Sequence, residues 1–284
     1  MNSARGALVL VGTPIGNLGD LSERVLEALR DADVLACEDT RRTRTLLTHA
    51  GIPAAGRLRA VPAHDEAESA GWVVERVAAG DRVAVVTDAG LPGISDPGSR
   101  LVRACLDAGL AVEVVPGPSA VTTALVLSGL PTDRFVFEGF LPRKGSSRAD
   151  RLEALASEPR TTVIFESPRR VLATLADLVA HCGEDRPAAL ARELTKLHEE
   201  VRRGTLRELL AGVEVTEPRG ECVLILGGAV EVRAATSDAD VDEALIAELG
   251  RGTATRDAAA IVSARFGMGR REVYARAVRL KRPR

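Results

Sequence analysis

Aromatic residues are scarce in this chain: one Trp, one Tyr and five Phe among 284 residues. A core of any size must therefore be built from Ala, Val and Leu. No apolar run approaches the roughly 18 residues of a membrane-spanning helix. Cysteine is limited to Cys37, Cys105, Cys182 and Cys222, scattered through expected strands and helices. Without a CxxC pair or a Cys/His cluster, neither a metal site nor a disulfide framework is expected. The N-terminal MNSARGALVLVG runs straight into a strand without a signal-peptide pattern. A reduced, cytoplasmic protein is the expectation. Two nucleotide signatures are missing as well. The glycine loop Gly12–Asp20, GTPIGNLGD, lacks the GxGxxG spacing of dinucleotide-binding folds, and no Lys-Ser/Thr follows it as in a P-loop.

What remains is an ordinary globular composition, 45% apolar and 27% charged, long enough for two domains. The net charge of −2 conceals an asymmetry. Between Arg265 and Arg284 eight Arg or Lys residues face one acid, Glu272, which leaves −9 for the rest of the chain. Such a basic end is either a solvated helix face or a footprint for a polyanion such as RNA.

The first part alternates strand and helix. Leu8–Val11, Val34–Cys37, a weak Leu58–Val61, Val83–Val86 and Val112–Val115 read as strands. Asp20, with Glu23 three residues on, is expected to cap a helix that buries Val25 and Leu29. A further helix is expected around Trp72. Asp96 is expected to cap the helix after VAVVTDAGLPGISDPG, with Pro97 at its first position. This βαβα order implies a mostly parallel sheet covered by helices. Three strands empty into loops that expose backbone: GTPIGNLGD, TDAGLPGISDPG and PGPSAV. That is the rim of an α/β binding crevice.

After a break near Ser128–Asp133, strands are expected at Phe135–Glu138, Thr162–Phe165, Ala188–Arg192 and Cys222–Leu226. Ser167-Pro168 opens a helix, and Thr205 with Glu208 forms a capping box. Gly227–Asp240 reads as a linker, and only helical pattern follows from Val241.

Within these loops Asp88 follows a strand where no helix starts at once, so its carboxylate is available to a ligand hydroxyl or a cation. Ser119 and Ala120 open a helix whose first N–H groups either bind Ser119 or receive a ligand's polar end. Arg41, Arg42 and Arg44 in EDTRRTR form one basic cluster. Arg143, Lys144, Arg148 and Arg151 form a second. Either a solvated face or a phosphate clamp accounts for them. Glu166 ends a strand, and Glu193, Lys196 and His198 lie together in RELTKLHEE, so a general base has several candidates.

Taken in order, GTPIGNLGD, CEDTRRTRTLL, TDAGLPGISDPG, PGPSAVTTAL, FEGFLPRKG, FESPRR and RELTKLHEE resemble the bacterial 16S ribosomal RNA cytidine 2′-O-methyltransferases of the tetrapyrrole methylase superfamily. The resemblance runs from Leu8 to about Gly228. It implies two α/β domains, residues 1–118 and 119–230, with a cofactor cleft between them, and a small basic helical segment at 241–284. It implies S-adenosylmethionine as cofactor, held by Thr13, Pro14, Asp88, Leu91, Ile94, Ser119, Ala120 and, with a looser match, Phe165. It also implies a homodimer, and 16S ribosomal RNA or the small ribosomal subunit as partner, with no DNA or membrane partner. The RNA would meet Arg41, Arg42, Arg44, Arg143 and Lys144. The catalytic base would come from Glu166, Glu193, Lys196 or His198. Departures from the pattern at His64-Asp65-Glu66 and at Arg169 are expected to bear on RNA contacts and not on the cofactor loops. The rival readings are a methyltransferase acting on a tetrapyrrole and a non-enzymatic RNA-binding module.

Overall fold

The computed structural model describes residues 6–54, 56–62, 65–229, 238–266 and 268–281. Its first strand, β1 (Ala7–Val11), is buried along its whole length. That suits a short apolar run at the centre of a parallel sheet, with both faces covered. Around it lie β2 (Val34–Cys37), β3 (Leu58–Ala60), β4 (Arg82–Val86) and β5 (Ala111–Val115) in the order β3-β2-β4-β1-β5. Every pairing is parallel. Val11 is therefore level with Val86 and Val115, and the loops that follow these three residues leave the same edge. Helices α1 (Glu23–Asp31), α2 (Thr40–His49), α3 (Glu66–Ala78) and α4 (Ser99–Asp107) link the strands. One apolar cluster holds Val9, Leu29, Leu35 and Leu47, and the other holds Leu8, Val73, Val83 and Leu101. Ala, Val and Leu thus fill the core as the composition requires.

Helix α5 (Ala120–Ser128) leads to a second sheet of β6 (Phe135–Phe140), β7 (Thr161–Glu166), β8 (Pro187–Arg192), β9 (Glu200–Thr205) and β10 (Cys222–Leu226), in the order β6-β7-β10-β8-β9. Only β6 and β7 run parallel. Helices α6 (Ser146–Ser157), α7 (Pro168–Cys182) and α8 (Leu206–Val215) complete this part. Leu152, Leu175 and Leu209 share one core cluster. In the other, Val121 and Leu125 of α5 meet Val163 and Ile225, and Ile15 from the loop after β1 joins them. Ile15 is the apolar peg through which the first glycine loop enters the second sheet's core.

The contacts divide the chain into two units, Met1–Ala229 and Val230–Arg284. In the second, α9 (Asp238–Gly250), α10 (Thr255–Phe266) and α11 (Arg270–Lys281) close around Val241, Leu245, Val262, Val273 and Ala277. Arg276 of the basic stretch turns inward, with Nε 2.6 Å from Asp242 and Nη1 2.6 Å from Asp238. Arg271 and Arg279 are exposed. His64, most of the expected linker, Arg282 and Arg284 fall outside the described residues.

Two caps differ from expectation. Ser22, not Asp20, caps α1, because its extended backbone lets the side chain accept from Val25 N. Asp20 instead ends a short 3-10 turn capped by Asn17. Asp96 caps nothing. A turn closed by Gly93 N donating to Pro97 O shifts the start of α4 to Ser99. Gly98 then occupies the cap position at φ 142°, where a Cβ would lie 2.9 Å from Gly93 N. Glu66, 32 residues earlier, supplies the cap. Its Oε1 accepts from Gly98 N and Arg100 N, both at 2.8 Å. The expected capping box of Thr205 and Glu208 is present.

Candidate functional site

Two backbone contacts and one side-chain hydroxyl build the site at the edge of the first sheet. Thr13 and Gly90 exchange backbone hydrogen bonds of 2.9 and 3.2 Å. The Thr13 hydroxyl also donates toward Thr87 O and Gly90 O, each at 3.3 Å. Gly12 and Gly117 touch so closely that a Cβ on either would come within 2.6 Å of the other's backbone. Glycine is required there by approach, not by conformation. The loops after β1, β4 and β5 are thereby fastened side by side.

Two cavities adjoin these loops. The larger, about 490 Å³, lies between the loops after β4 and β5 and the second sheet. Leu91, Ile94, Ala120, Val121, Phe140, Phe165 and Val223 give it an apolar wall. Phe165 meets Phe137 and Phe140 edge-on, with ring centroids 5.0 and 5.6 Å apart. A chain with five phenylalanines thus commits two of them to this wall. Asp88, Asp96, Ser119 and Glu221 add polar groups. The smaller cavity, about 300 Å³, is lined by Thr13, Thr43, Thr45 and Thr87, and by Arg42 and Lys196. Ile15, Arg42, Asp88, Ala89 and Glu221 line both.

The acids of the larger cavity influence one another. Burial, then the charges of Glu38, Asp88 and Glu221, push Asp96 up to about 7. Asp88 is also raised, by burial first, with Arg42 opposing and Asp39 and Glu221 adding to the rise. Its Oδ2 lies 3.3 Å from Arg42 Nη1. Its Oδ1 is buried and accepts no hydrogen bond. Glu38 is raised by burial and by Asp88. Lys196 Nζ bridges Glu193 Oε1 at 2.8 Å and Glu221 Oε2 at 2.7 Å. Burial pulls its pKa down, but those two bonds outweigh it and the net shift is upward. Lys196 is accordingly a fixed cation.

The residues singled out from the sequence separate clearly. Leu91, Ile94, Ser119, Ala120 and Phe165 line the larger cavity, Thr13 and Pro14 the smaller, and Asp88 both. The Ser119 side chain caps no N–H of α5, so its hydroxyl is available to a ligand. Glu166 is wholly buried, and both its oxygens are taken. Oε1 accepts from Ser167 N at 2.8 Å and Oε2 from Thr174 Oγ1 at 2.7 Å. Glu166 lines the larger cavity, and its carboxylate serves the start of α7. His198 is exposed and lies in neither cavity wall. The pKa of Glu193 is lowered, first by its bond to Lys196. Of the arginine cluster on α2, Arg42 reaches the cavities, while Arg41 and Arg44 are exposed. In the second basic cluster Arg143 and Lys144 are exposed. Arg148 is bound to Asp177 and Thr174, and Arg151 to Glu138.

Sequence reasoning missed Glu66, Asp96 and Glu221 as parts of this site. Glu66 lies in the segment expected to bear on RNA contacts, yet it caps the helix that follows the loop after β4. Only Asp96 carried a local signal, and Asp-Pro before a helix reads more readily as a cap. Glu221 and Glu66 are brought in by chain folding over long separations.

Comparison with known proteins follows the same lines. The family model "Tetrapyrrole (Corrin/Porphyrin) Methylases" matches residues 7–210. A second, "RsmI C-terminal HTH domain", matches residues 235–281, the stretch that holds α9 to α11. The chain is 48% identical over 229 residues to the ribosomal RNA small subunit methyltransferase I of Escherichia coli O157:H7, covering 80% of this chain and 79% of that one. With the protein of the same name from Mycobacterium bovis it shares 47% identity over 276 residues, covering 95% and 93%. Among solved structures, uroporphyrin-III-C-methyltransferase from Thermus thermophilus superposes with a TM-score of 0.54 at 25% identity, covering 81% of this chain and 98% of that one. The chain belongs to the tetrapyrrole methylase family and, within it, to the group of the ribosomal RNA small subunit methyltransferases I.

Proposed function

We propose that this protein transfers a methyl group from S-adenosylmethionine to the ribose 2′-hydroxyl of a cytidine in the decoding region of 16S ribosomal RNA. The observation that carries this reading is the pair of unlike cavities with a shared wall, in a chain whose relatives are named for ribosomal RNA methylation. The larger cavity suits the cofactor. Its apolar wall fits an adenine ring. The carboxyl groups of Asp96 and Glu221 can accept from a ligand carrying positive charge, and the open start of α5 offers N–H groups to a carboxylate. When bound, S-adenosylmethionine supplies an electrophilic methyl group on a sulfonium centre. The protein's part is to hold the two reactants dry and in line.

The smaller cavity, with four threonines and two cations, suits a ribose and its phosphates. Arg41 and Arg44 lie beside it on α2, and Arg143 and Lys144 are free to meet more distant phosphates. Leu91, Ile94, Ser119, Ala120 and Phe165 contact the cofactor in this reading. Thr13 and Pro14 border the acceptor, and the division into 1–118, 119–230 and 241–284 belongs to it as well. The exposed edge strand β5, where Val114 is 52% exposed, and Val126 on α5 at 70% support a homodimer. The ribosomal substrate and the four unpaired thiols support a cytoplasmic setting.

The test is methyl incorporation from labelled S-adenosylmethionine into small ribosomal subunits, with a tetrapyrrole acceptor in parallel. Label in the ribose of a 16S cytidine is the expected result. Label in the macrocycle alone overturns the reading, and RNA binding without any transfer supports a binding module instead.

A further inference from the structure

Resting on that reading, we infer that Asp88 is the group that takes the proton of the attacking ribose hydroxyl. The resemblance to the family assigned this residue to cofactor binding. Its place in the structure points elsewhere. Donor and acceptor held in the two cavities must meet at the shared wall, and among the described residues Asp88 and Glu221 are the acids in that wall. Glu221 holds Lys196 Nζ at 2.7 Å through Oε2 and is 66% exposed, so it faces solvent more than the shared wall. Asp88 is only half committed. Oδ2 faces Arg42, while Oδ1 is buried without a donor. The Asp88 side chain is 24% exposed at this wall, so its carboxylate is placed to meet a donor that arrives with the substrate.

The surroundings suit the task. The loop that carries Asp88 is fixed on either side by the Thr13 hydroxyl and by the paired backbones of Thr13 and Gly90. The charged groups facing Asp88 come from several elements. Arg42 on α2 favours its ionised form. Asp39 before α2 opposes it by charge while its backbone N–H favours it, Glu221 before β10 opposes it, and Glu38 and Asp96 feel its charge in turn. Lys196 stands across the smaller cavity, tied to Glu193 and Glu221. A carboxylate kept ionised by one arginine but more basic than usual is matched to accepting a proton.

The step balances. The ribose oxygen forms its bond to the methyl carbon as the carbon–sulfur bond breaks, and that electron pair stays on sulfur. The hydroxyl proton passes to the Asp88 carboxylate. The sulfonium cation and the carboxylate anion both end neutral, so no net charge is left in the wall. The carboxylic acid then returns its proton to water.

The test uses the full chain with Asp88→Asn, which preserves shape and the face toward Arg42. Calorimetric affinity for S-adenosylmethionine should stay within about threefold of the parent. At saturating cofactor, kcat on small ribosomal subunits should fall by about 10²–10⁴-fold, and the acidic limb of its pH profile should vanish. A kcat within about threefold of the parent, with cofactor affinity lost, overturns the inference and returns Asp88 to cofactor binding. Arg42→Gln provides a second measure, independent of whether Asp88→Asn folds. Removing the cation should move the acidic limb to higher pH, and an unmoved limb counts against Asp88. A parent protein that does not methylate RNA at all refutes the functional reading, an outcome visible before any variant is made.

Discussion

Replacing Glu66 tests how the loop after β4 is held. Its Oε1 accepts from Gly98 N and Arg100 N at 2.8 Å and, more weakly, from Leu101 N at 3.4 Å. Glu66 is buried, so in Glu66→Ala no solvent-exposed group takes its place at the start of α4. Two good hydrogen bonds to a charged acceptor contribute about 1.5–3 kcal/mol each, and partial access of water to Arg100 N reduces the sum to about 3 kcal/mol. For a unit of this length that lowers Tm by about 6–12 °C. Glu66→Gln keeps an acceptor and loses only the charge at the helix N-terminus, a loss of about 1 kcal/mol or 2–4 °C. Because α4 follows directly on the loop bearing Leu91, Ile94 and Asp96, the alanine variant should also weaken S-adenosylmethionine binding more than the glutamine variant does. Thermal unfolding and titration calorimetry on all three proteins give the comparison. An alanine variant that melts within about 2 °C of the parent, or a glutamine variant as damaged as the alanine one, refutes this account of the cap.

Three other perturbations probe separate parts of the site. Gly16→Ala would place a Cβ 2.5 Å from Lys196 Cγ and 2.9 Å from Leu194 O. It should cost about 1–3 kcal/mol and, by displacing Lys196, raise KM for the ribosomal substrate. An unchanged KM would contradict the placement of Lys196 in the acceptor cavity. Asp96, raised to about 7 by burial and neighbouring acids, prefers its neutral form in the folded protein. Its contribution is most favourable at low pH and is lost as pH rises from the unfolded value near 4 through 7. Asp96→Asn should therefore stabilise the protein by on the order of 1 kcal/mol at pH 8 and by less at pH 5. Equal Tm shifts at the two values would refute the shift. The double variant Arg143→Ala, Lys144→Ala should leave S-adenosylmethionine binding intact and flatten the dependence of log K for RNA on log salt by about 0.7 per lost contact. An unchanged slope would remove both residues from the RNA path.

Much of the fold could be read from the chain because its strands are short apolar runs stopped by glycine and proline. Val34–Cys37 and Cys222–Leu226 match expectation residue for residue. The elements that escaped notice are those whose formation depends on partners. β9, EVRRGT, has no apolar alternation. It is an edge strand paired only with β8, and Glu200 accepts from Arg192 and Arg202 across its first residues. α6 starts after Gly145 at φ 85° with no capping side chain, so nothing local announces it. α2 lies within EDTRRTRTLL, where charge masks the helix, although Asp39 accepts from Arg41 N and Arg42 N as an ordinary cap. The candidate site divides in the same way. Loops at strand ends are visible as loops, which directs attention to Asp88 and Ser119, while Ile94 is reached only through the family resemblance. Glu66 and Glu221 act through contacts that no spacing rule encodes.

Backbone strain marks the same place independently of any motif. Among the described residues the non-glycine positions with positive φ are Ser95 at 63°, Glu193 at 50° and Thr195 at 65°. Ser95 lines the larger cavity, and Glu193 and Thr195 flank Leu194 and precede Lys196, which line the two cavities. Such conformations cost about 1–3 kcal/mol each and persist only where the surroundings over-determine them. Here the surroundings can be named. The Glu193 carboxylate accepts from Glu221 N at 3.0 Å and from Lys196 Nζ. Thr195 N donates to Glu199 at 2.6 Å, and Thr195 Oγ1 accepts from Asn17 N at 3.0 Å. Gly16 leaves room where a side chain would strike this turn. The turn that bears Lys196 is thus held from the first glycine loop on one side and from the residue before β10 on the other. Each anchor lies far from it in sequence, so the cation enters the smaller cavity only when both sheets are assembled. The chemistry of RELTKLHEE can therefore be suspected from its residues but ranked only from their contacts.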